Sequence, residues 1–267
     1  MKKIILNILI VIFALIFIGS GWYLFSYYRD AKEAGDKVEE LAELVEESES
    51  EDEASSGETD DTEPIEVVSS SGEKKTILKK YRKLYKRNPD VIGWVKVDDT
   101  PINYPVMFTP EENEYYLHRN FDKQDDVNGM PFLDALCDPE DLDSNLLIYG
   151  HHMKSGIMFA HLLDYESEDF YKKHKIIKFD TLYAKGEYEI VAAFRSQVYK
   201  ADDENFKYYE YIGHLSEKRF DKYIKGIEEL SLYKTGIKPK YGEQLLSLVT
   251  CAYHVDEGRF VVVARKN

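Results

Sequence analysis

The last 23 residues of the chain, LLSLVTCAYHVDEGRFVVVARKN, restrict its possible folds more than any other stretch. An apolar run ends at Thr250 and Cys251, a polar connection follows, and Arg259 opens a second apolar run. Two apolar runs of strand length around a short polar connection predict a β-hairpin. In that hairpin the cysteine and the arginine would face each other at one rim. This arrangement fits a nucleophilic thiolate beside a cation, and it also fits ordinary packing.

The N-terminus predicts a helix that spans a membrane. Lys2 and Lys3 precede an apolar run over residues 4–25, which is long enough to cross a bilayer core. Aromatic residues fall where the membrane interface would lie: Trp22, Tyr23, Tyr27 and Tyr28. The lysines favour a cytoplasmic N-terminus, so residues 1–28 are predicted to be a signal anchor that leaves the remaining chain outside the membrane.

A cleavable signal peptide is the alternative for this segment. The small residues Gly19, Ser20 and Gly21 leave that alternative open. Against it, the apolar run is longer than a usual signal core, and it has no clear A-x-A cleavage site.

Residues 29–71 are predicted to be an acidic tether. Residues 31–65 hold 15 Asp or Glu and 2 Lys, and so account for most of the net charge of −15. Such a composition favours a disordered, self-repelling spacer. Only Val38, Leu41, Leu44 and Val45 have a helical spacing, which leaves a brief helical contact open. The acidic balance argues against a nucleic-acid partner.

Residues 72–267 are predicted to form one mostly β domain with inserted helices. Amphipathic patterns predict helices over residues 74–87 and 216–230. Shorter apolar stretches predict strands over residues 91–97, 103–107, 130–134, 145–149, 175–179 and 187–194. Many short strands with helices between them indicate a mixed barrel or a sandwich.

A histidine pair follows one of these strands. His151 and His152 come directly after Gly150, where loops present functional groups. A thiolate is favoured by a nearby imidazole or guanidinium, so Cys251, a histidine and Arg259 would form a nucleophilic site if they met at one rim. Cys137 has no such partner in the sequence and is interpreted as incidental.

A zinc site is the other interpretation of the histidines. His151, His152 and His161 do not match the usual ligand spacings, and no carboxylate that would orient them is evident. We therefore predict neither a metal nor a cofactor. The remaining histidines have no visible partner and are predicted to be surface or structural residues: His118, His174, His214 and His254.

Taken together, these motifs resemble the sortase family. The stretch SLVTC, followed eight residues after its cysteine by the arginine of RFVVVA, is similar to the C-terminal signature of sortases, and IYGHHM resembles their catalytic histidine segment. The segments INYPV and NGMPFLD and the helix-bearing insertion before the last hairpin resemble class B. Ser247 stands where the family usually has threonine, which retains a hydroxyl. The resemblance covers roughly residues 74–267.

The resemblance implies a fold and an activity. The fold is a closed mixed β-barrel of about eight strands, with an N-terminal helix packed on it and a helix in the insertion before the last strand pair. The activity is a membrane-anchored cysteine transpeptidase of a Gram-positive type cell envelope. It would cleave the C-terminal sorting signal of a surface protein after threonine, in an NPxTx-like motif. It would then join that protein to an amino group of a peptidoglycan precursor or cross-bridge.

The same resemblance assigns roles to residues. Cys251 would be the nucleophile, His151 the general acid and base, and Arg259 the group that holds the substrate carbonyl and the oxyanion. Substrate-binding residues would be Asn113, Leu117, Tyr149, Asn205, Phe206, Ser247 and Thr250. For each of these seven residues, ordinary packing is an equal alternative. Two other functions stay open: a thiol peptidase that only hydrolyses, and a catalytically silent anchored binding module.

Overall fold

A computed structural model describes residues 2–54, 63–68, 72–139 and 144–267. In these residues the helices are α1 Lys2–Ala54, α2 Lys79–Arg87, α3 Glu168–Lys173 and α4 Glu217–Leu230, with 3₁₀ helices at Tyr115–His118, Phe159–Glu166 and Tyr208–Glu210. The strands are β1 Glu66–Val68, β2 Lys74–Thr76, β3 Val91–Lys96, β4 Asn103–Met107, β5 Phe132–Leu133, β6 Ser144–Tyr149, β7 Ile176–Thr181, β8 Glu187–Gln197, β9 Gly213–His214, β10 Leu245–Cys251 and β11 Gly258–Lys266.

Within this described part of the chain, eight strands close into a barrel. Their order is β10, β11, β8, β7, β3, β4, β5 and β6, and β6 pairs with β10 to complete the circle. The β4–β5 and β6–β10 pairs are parallel, and the other pairs are antiparallel. α2 buries Tyr81 and Leu84, and α4 lies in the insertion between β8 and β10. The predicted mixed barrel with its two helices is confirmed.

The final hairpin lies in the middle of this architecture. β10 is paired on both sides, by β11 and by β6, and its residues from Leu245 to Thr250 are buried. β11 is equally enclosed, between β10 and β8. Strands that are covered on both faces have continuous apolar sequences rather than alternating ones. This burial explains why both runs of the hairpin are largely apolar.

The predicted helix over residues 74–87 is shorter in the structure and begins at Lys79. Lys74–Thr76 instead pairs antiparallel with Glu66–Val68. The Ile77 backbone N–H donates to the Ile65 carbonyl (2.9 Å), and the Leu78 N–H donates to the Leu182 carbonyl (2.8 Å). These bonds to distant segments hold the residues before Lys79 extended, so helical periodicity alone placed the start too early.

The prediction of a disordered tether is wrong for residues 29–54, which continue α1 as one helix. This half of α1 buries a stripe with spacings of three and four residues: Ala31, Ala34, Val38, Leu41, Val45 and Ser48. Its acidic residues pair with cations of the domain, Glu40 with Arg87 (2.9 Å) and Glu46 with Lys96 (3.6 Å). Residues 55–62 and 69–71 of the predicted tether lie outside the described residues.

Candidate active site

The hairpin places Cys251 opposite Arg259. The two residues are cross-strand partners at the open end of the β10–β11 pair. The turn between them is closed by the Ala252 N–H, which donates to the Gly258 carbonyl (2.9 Å). A Cβ at Gly258 would lie 2.0 Å from the Ala252 carbonyl oxygen, so a side chain there would force the backbone to shift. The tight turn thus sets the thiol and the guanidinium side by side.

His151 reaches the same rim through the parallel pairing of β6 with β10. Tyr149 is the partner of Val249, and His151 and Cys251 each follow two residues later. Side chains two residues apart share one face of a strand. The Thr250 hydroxyl donates to the Gly150 carbonyl (2.7 Å) and so joins the end of β10 to the residue that follows β6. A Cβ at Gly150 would lie 2.6 Å from the Phe159 ring, so glycine is required where the chain turns.

One cleft of about 450 Å³ brings the three predicted catalytic residues together. Its walls come from the 3₁₀ helix Tyr115–His118 with the residues before it, from β5, β6 and β10, and from the insertion that follows β8. The lining residues are Asn113, Glu114, Leu117, Phe132, Asp134, Leu136, Tyr149, Gly150, His151, Val198, Tyr208, Tyr209, Ile212, Val249, Thr250, Cys251 and Arg259.

The environment of His151 defines its tautomer and its charge. Nε2 lies 2.7 Å from the Leu117 carbonyl, so this nitrogen carries the proton and Nδ1 is the acceptor. The His118 ring stacks on His151 with 5.8 Å between ring centroids. Burial lowers the pKa of His151, the bond to the Leu117 carbonyl opposes that effect, and His118 adds to it. At neutral pH the ring is therefore neutral and able to accept a proton.

His152 has a different function in the structure from its neighbour. Its Nδ1 donates to the backbone carbonyl of Cys251 (3.0 Å), and its ring packs on Tyr253 with 5.3 Å between centroids. His152 therefore supports the main chain of the nucleophile strand, while His151 lines the cleft. The sequence contained no signal for this backbone bond, because it joins two residues 99 positions apart.

Arg259 is half-buried at the rim and is held at both ends of its guanidinium. Nη1 donates to the Gly258 carbonyl (3.0 Å), and Nη2 lies 3.2 Å from Oε2 of Glu257. Both contacts come from the preceding turn of the same hairpin. The guanidinium is thereby kept at the cleft, with donors left for an anionic or carbonyl oxygen.

Four of the predicted substrate-binding residues line the cleft: Asn113, Leu117, Tyr149 and Thr250. The side-chain oxygen of Asn113 accepts from the Ala135 N–H (2.8 Å), and the Tyr149 hydroxyl donates to Asp134 (3.1 Å). Tyr208 also lines the cleft, as expected for the insertion around Asn205 and Phe206, whereas sequence analysis missed Asp134, Tyr209 and Ile212. The acid directly after β5 could have indicated Asp134, but the irregular insertion offers no periodicity for the other two.

The other three predicted substrate residues lie outside the cleft. Ser247 is fully buried, with its hydroxyl 3.0 Å from both the Tyr223 hydroxyl and Oδ1 of Asn145. Phe206 packs between Tyr211 and Tyr223. Asn205 is exposed and bonds to Asp203 in its own turn. For Ser247 this placement contradicts the predicted substrate contact, because Tyr223 of helix α4 covers that part of β10. For Asn205 and Phe206, which belong to the insertion, the contact stays a prediction.

Ser247→Ala is expected to lower stability and leave catalysis unchanged. The substitution removes a partner from the buried Tyr223 hydroxyl and from the Asn145 side chain. Losing partners of buried polar groups costs about 1–3 kcal/mol in the free energy of unfolding. Denaturant unfolding measures this loss. A large fall in kcat at unchanged stability would instead restore Ser247 as a substrate contact.

Cys137 is chemically inert in the structure. It is a buried free thiol, and its sulfur accepts from the Leu147 N–H (3.4 Å). Burial raises the pKa of this thiol to about 12. His161, one of the three histidines considered for a zinc site, pairs with Asp164 (2.8 Å). Among the described residues, no group of three or more His, Cys, Asp or Glu side chains has the arrangement of a metal site.

Comparison with known proteins identifies the family. A profile of the sortase domain matches residues 95–267. Sortase B of Listeria monocytogenes is 32% identical over 183 residues, covering 68% of this chain and 71% of that protein. Sortase B of Bacillus anthracis, solved in complex with AAEK1, is 28% identical with a TM-score of 0.68, covering 90% of this chain and 98% of that one.

A third relative supports the fold alone. The Staphylococcus aureus sortase B–substrate complex has a TM-score of 0.71 at 24% identity, and it covers 90% of this chain and 98% of that one. The profile spans more than half of the chain, and it includes the segments that hold all three cleft residues. The chain therefore belongs to the sortase family, as a class B sortase, a cysteine transpeptidase of the cell envelope.

Proposed function

We propose that this enzyme cleaves an NPxTx-like sorting signal after threonine and transfers the surface protein to an amino group of peptidoglycan or its precursor. The observation that carries the proposal is the meeting of Cys251, His151 and Arg259 in one cleft. The relative solved as a sortase B–substrate complex shares the fold in which this cleft is formed.

The first half-reaction follows from the resting state of His151. The neutral imidazole accepts the thiol proton of Cys251, and the thiolate attacks the threonine carbonyl carbon. The developing oxyanion lies beside the Arg259 guanidinium, which stabilises its charge. When the carbon–nitrogen bond breaks, the imidazolium returns the proton to the leaving amine. The products are a thioacyl enzyme and the released C-terminal fragment.

The second half-reaction reverses these roles. An incoming amine attacks the thioacyl carbon and gives its proton to His151, and the Cys251 thiolate leaves as the new amide forms. The cleft is lined by Leu117, Tyr149 and Ile212, whose apolar surfaces exclude water from the thioacyl bond. Exclusion of water favours transfer to an amine over hydrolysis.

The same proposal places the enzyme on a membrane. One helix is long and apolar enough to cross a bilayer, with a mean hydropathy of 2.7 in its most apolar window, and that window is unburied. We assign residues 1–28 to a single-pass anchor with a cytoplasmic N-terminus. The catalytic domain would then lie on the outer face, together with exported surface proteins and the cell-wall amines.

Supplying an acceptor amine tests whether the enzyme is a transpeptidase. With an NPxTx peptide and a short oligoglycine, we expect an amide product that joins the threonine to the glycine, identified by mass spectrometry. N-acetylated oligoglycine is the matched control, since it lacks the nucleophile and should give no amide. A free threonine acid as the only product in both reactions would show a hydrolase. No cleavage at all would support a silent binding module.

A further inference from the structure

Helix α1 runs along the barrel from one end to the other. Near its C-terminal end, Glu49 bonds to Lys185 in the turn between β7 and β8. That turn precedes the start of β8, where Tyr188 pairs with Lys266 at the end of β11. The active site lies at the opposite end of these strands, where Gln197 pairs with Gly258. The C-terminal end of α1 is therefore remote from the cleft.

The middle of α1 reaches the active-site end of the barrel. Gly35 lies against Ile157, and Ala34 lines a small cavity with Met158. Met158 forms a β-bridge with His152, which bonds to the carbonyl of Cys251. At about 1.5 Å per residue, the part of α1 before Ala34 extends beyond the rim that carries the cleft.

Along α1, Ser26 and Tyr27 are half-buried, whereas Trp22 to Phe25 are exposed. Tyr27 precedes Ala34 by seven residues, which is about 10 Å along the helix axis and away from Glu49. A bilayer that holds this segment begins beside the active-site rim.

The rim carries an exposed apolar patch. Around the β10–β11 turn, Tyr253 is 70% exposed, Val255 45% and Val198 44%, and we call these three residues the rim patch. The Val198 N–H donates to the Glu257 carbonyl (3.0 Å), which joins the two loops. The Tyr253 ring is fixed on His152, and its hydroxyl donates to the His152 carbonyl (3.3 Å). The patch is therefore presented on an ordered surface.

We infer that the rim patch contacts the interface of the membrane that holds α1, so that the active-site cleft opens at the bilayer surface. This inference rests on the anchoring proposed above. A tyrosine with an apolar body and a polar tip suits the headgroup region. Asp256 and Glu257 on the same turn favour a shallow contact, since carboxylates are costly in hydrocarbon. Substrates with a lipid or apolar membrane segment would reach the cleft by lateral diffusion.

Tryptophan quenching in nanodiscs of phospholipid brominated near the headgroup tests this contact. The full chain contains two tryptophans, Trp22 and Trp94, so Trp22→Phe serves as the background and buried Trp94 stays constant. Tyr253→Trp adds the reporter at the rim. Its matched control is Tyr241→Trp, an exposed tyrosine (46%) just before β10 at the far end of the barrel. We expect an approximately twofold loss of the added emission for Tyr253→Trp, and none for Tyr241→Trp.

Quenching in the unsubstituted chain tests the membrane anchor independently of the rim contact. Quenching of its Trp22 supports the anchor, and a lack of quenching would overturn both the anchor and the inference. Quenched Trp22 with unchanged emission from Tyr253→Trp would overturn the inference alone. Equal quenching at Tyr253→Trp and Tyr241→Trp would also overturn it, because the domain would then lie on its side. Val255→Trp provides a second rim reporter and should agree with Tyr253→Trp.

Discussion

Replacing Cys251 by alanine is expected to abolish cleavage and transfer, lowering kcat by a factor of roughly 10⁶, the scale seen when the nucleophile of a catalytic unit is removed. Alanine cannot form the thioacyl intermediate, so both half-reactions are lost together. The fold should remain intact, because Cys251 lies at a strand end and is only partly buried. Peptide cleavage followed by mass spectrometry measures the loss, and circular dichroism checks the fold.

The second cysteine is the matched control for this experiment. Cys137→Ala removes a buried thiol on the other side of β6, so it should lower stability modestly and leave kcat nearly unchanged. Alkylation of the native enzyme should modify Cys251 and spare Cys137, whose pKa of about 12 and burial keep it protonated. Residual turnover by Cys251→Ala at the rate of the unsubstituted enzyme would refute the proposed nucleophile.

Arg259→Gln is expected to lower kcat by about 10²–10³-fold, the usual cost of losing one donor to a developing oxyanion. Glutamine can still donate a hydrogen bond, but it carries no charge to stabilise the tetrahedral intermediate. Because the effect belongs to the transition state, KM should change less than kcat. Arg259→Lys should recover part of the loss, since it restores the charge without the two-pronged geometry of guanidinium.

Arg195 supplies the control for Arg259. It is an exposed arginine on the neighbouring strand β8, opposite Phe260, and it forms an ion pair with Glu166 outside the cleft. Arg195→Gln should leave kcat and KM within the error of the assay. If Arg259→Gln raised KM and left kcat unchanged, Arg259 would be a residue that binds the substrate without stabilising the oxyanion.

The acidic half of α1 shows where composition misleads. Twelve acidic residues within residues 29–54 indicate self-repulsion, and that reasoning holds for an isolated segment. In the structure, Arg87 and Lys96 come from other parts of the chain and compensate Glu40 and Glu46. The stripe that contains Val38 and Leu41 is also buried, because it packs against the domain. The four apolar residues at helical spacing were the correct local signal.

Ser247 was predicted to contact substrate, but its position along β10 is too far from the cleft. Ser247 and Cys251 lie on the same strand and differ by four residues, so the sequence motif treats them alike. Only the last residues of β10 reach the cleft, because Tyr223 of helix α4 covers the strand farther back. Burial by an element from a separate insertion cannot be read from the motif.

Local sequence alone determined the opposition of Cys251 and Arg259, because a hairpin brings its two ends together whatever surrounds it. It also determined the apolar N-terminal helix, whose length and composition need no partner. Only the tertiary structure decided that His151 meets them and that His152 does not. That meeting depends on the parallel pairing of β6 with β10, a contact between segments a hundred residues apart. The docking of α1 was decided in the same way, because it depends on packing and on ion pairs with distant residues such as Arg87 and Lys96.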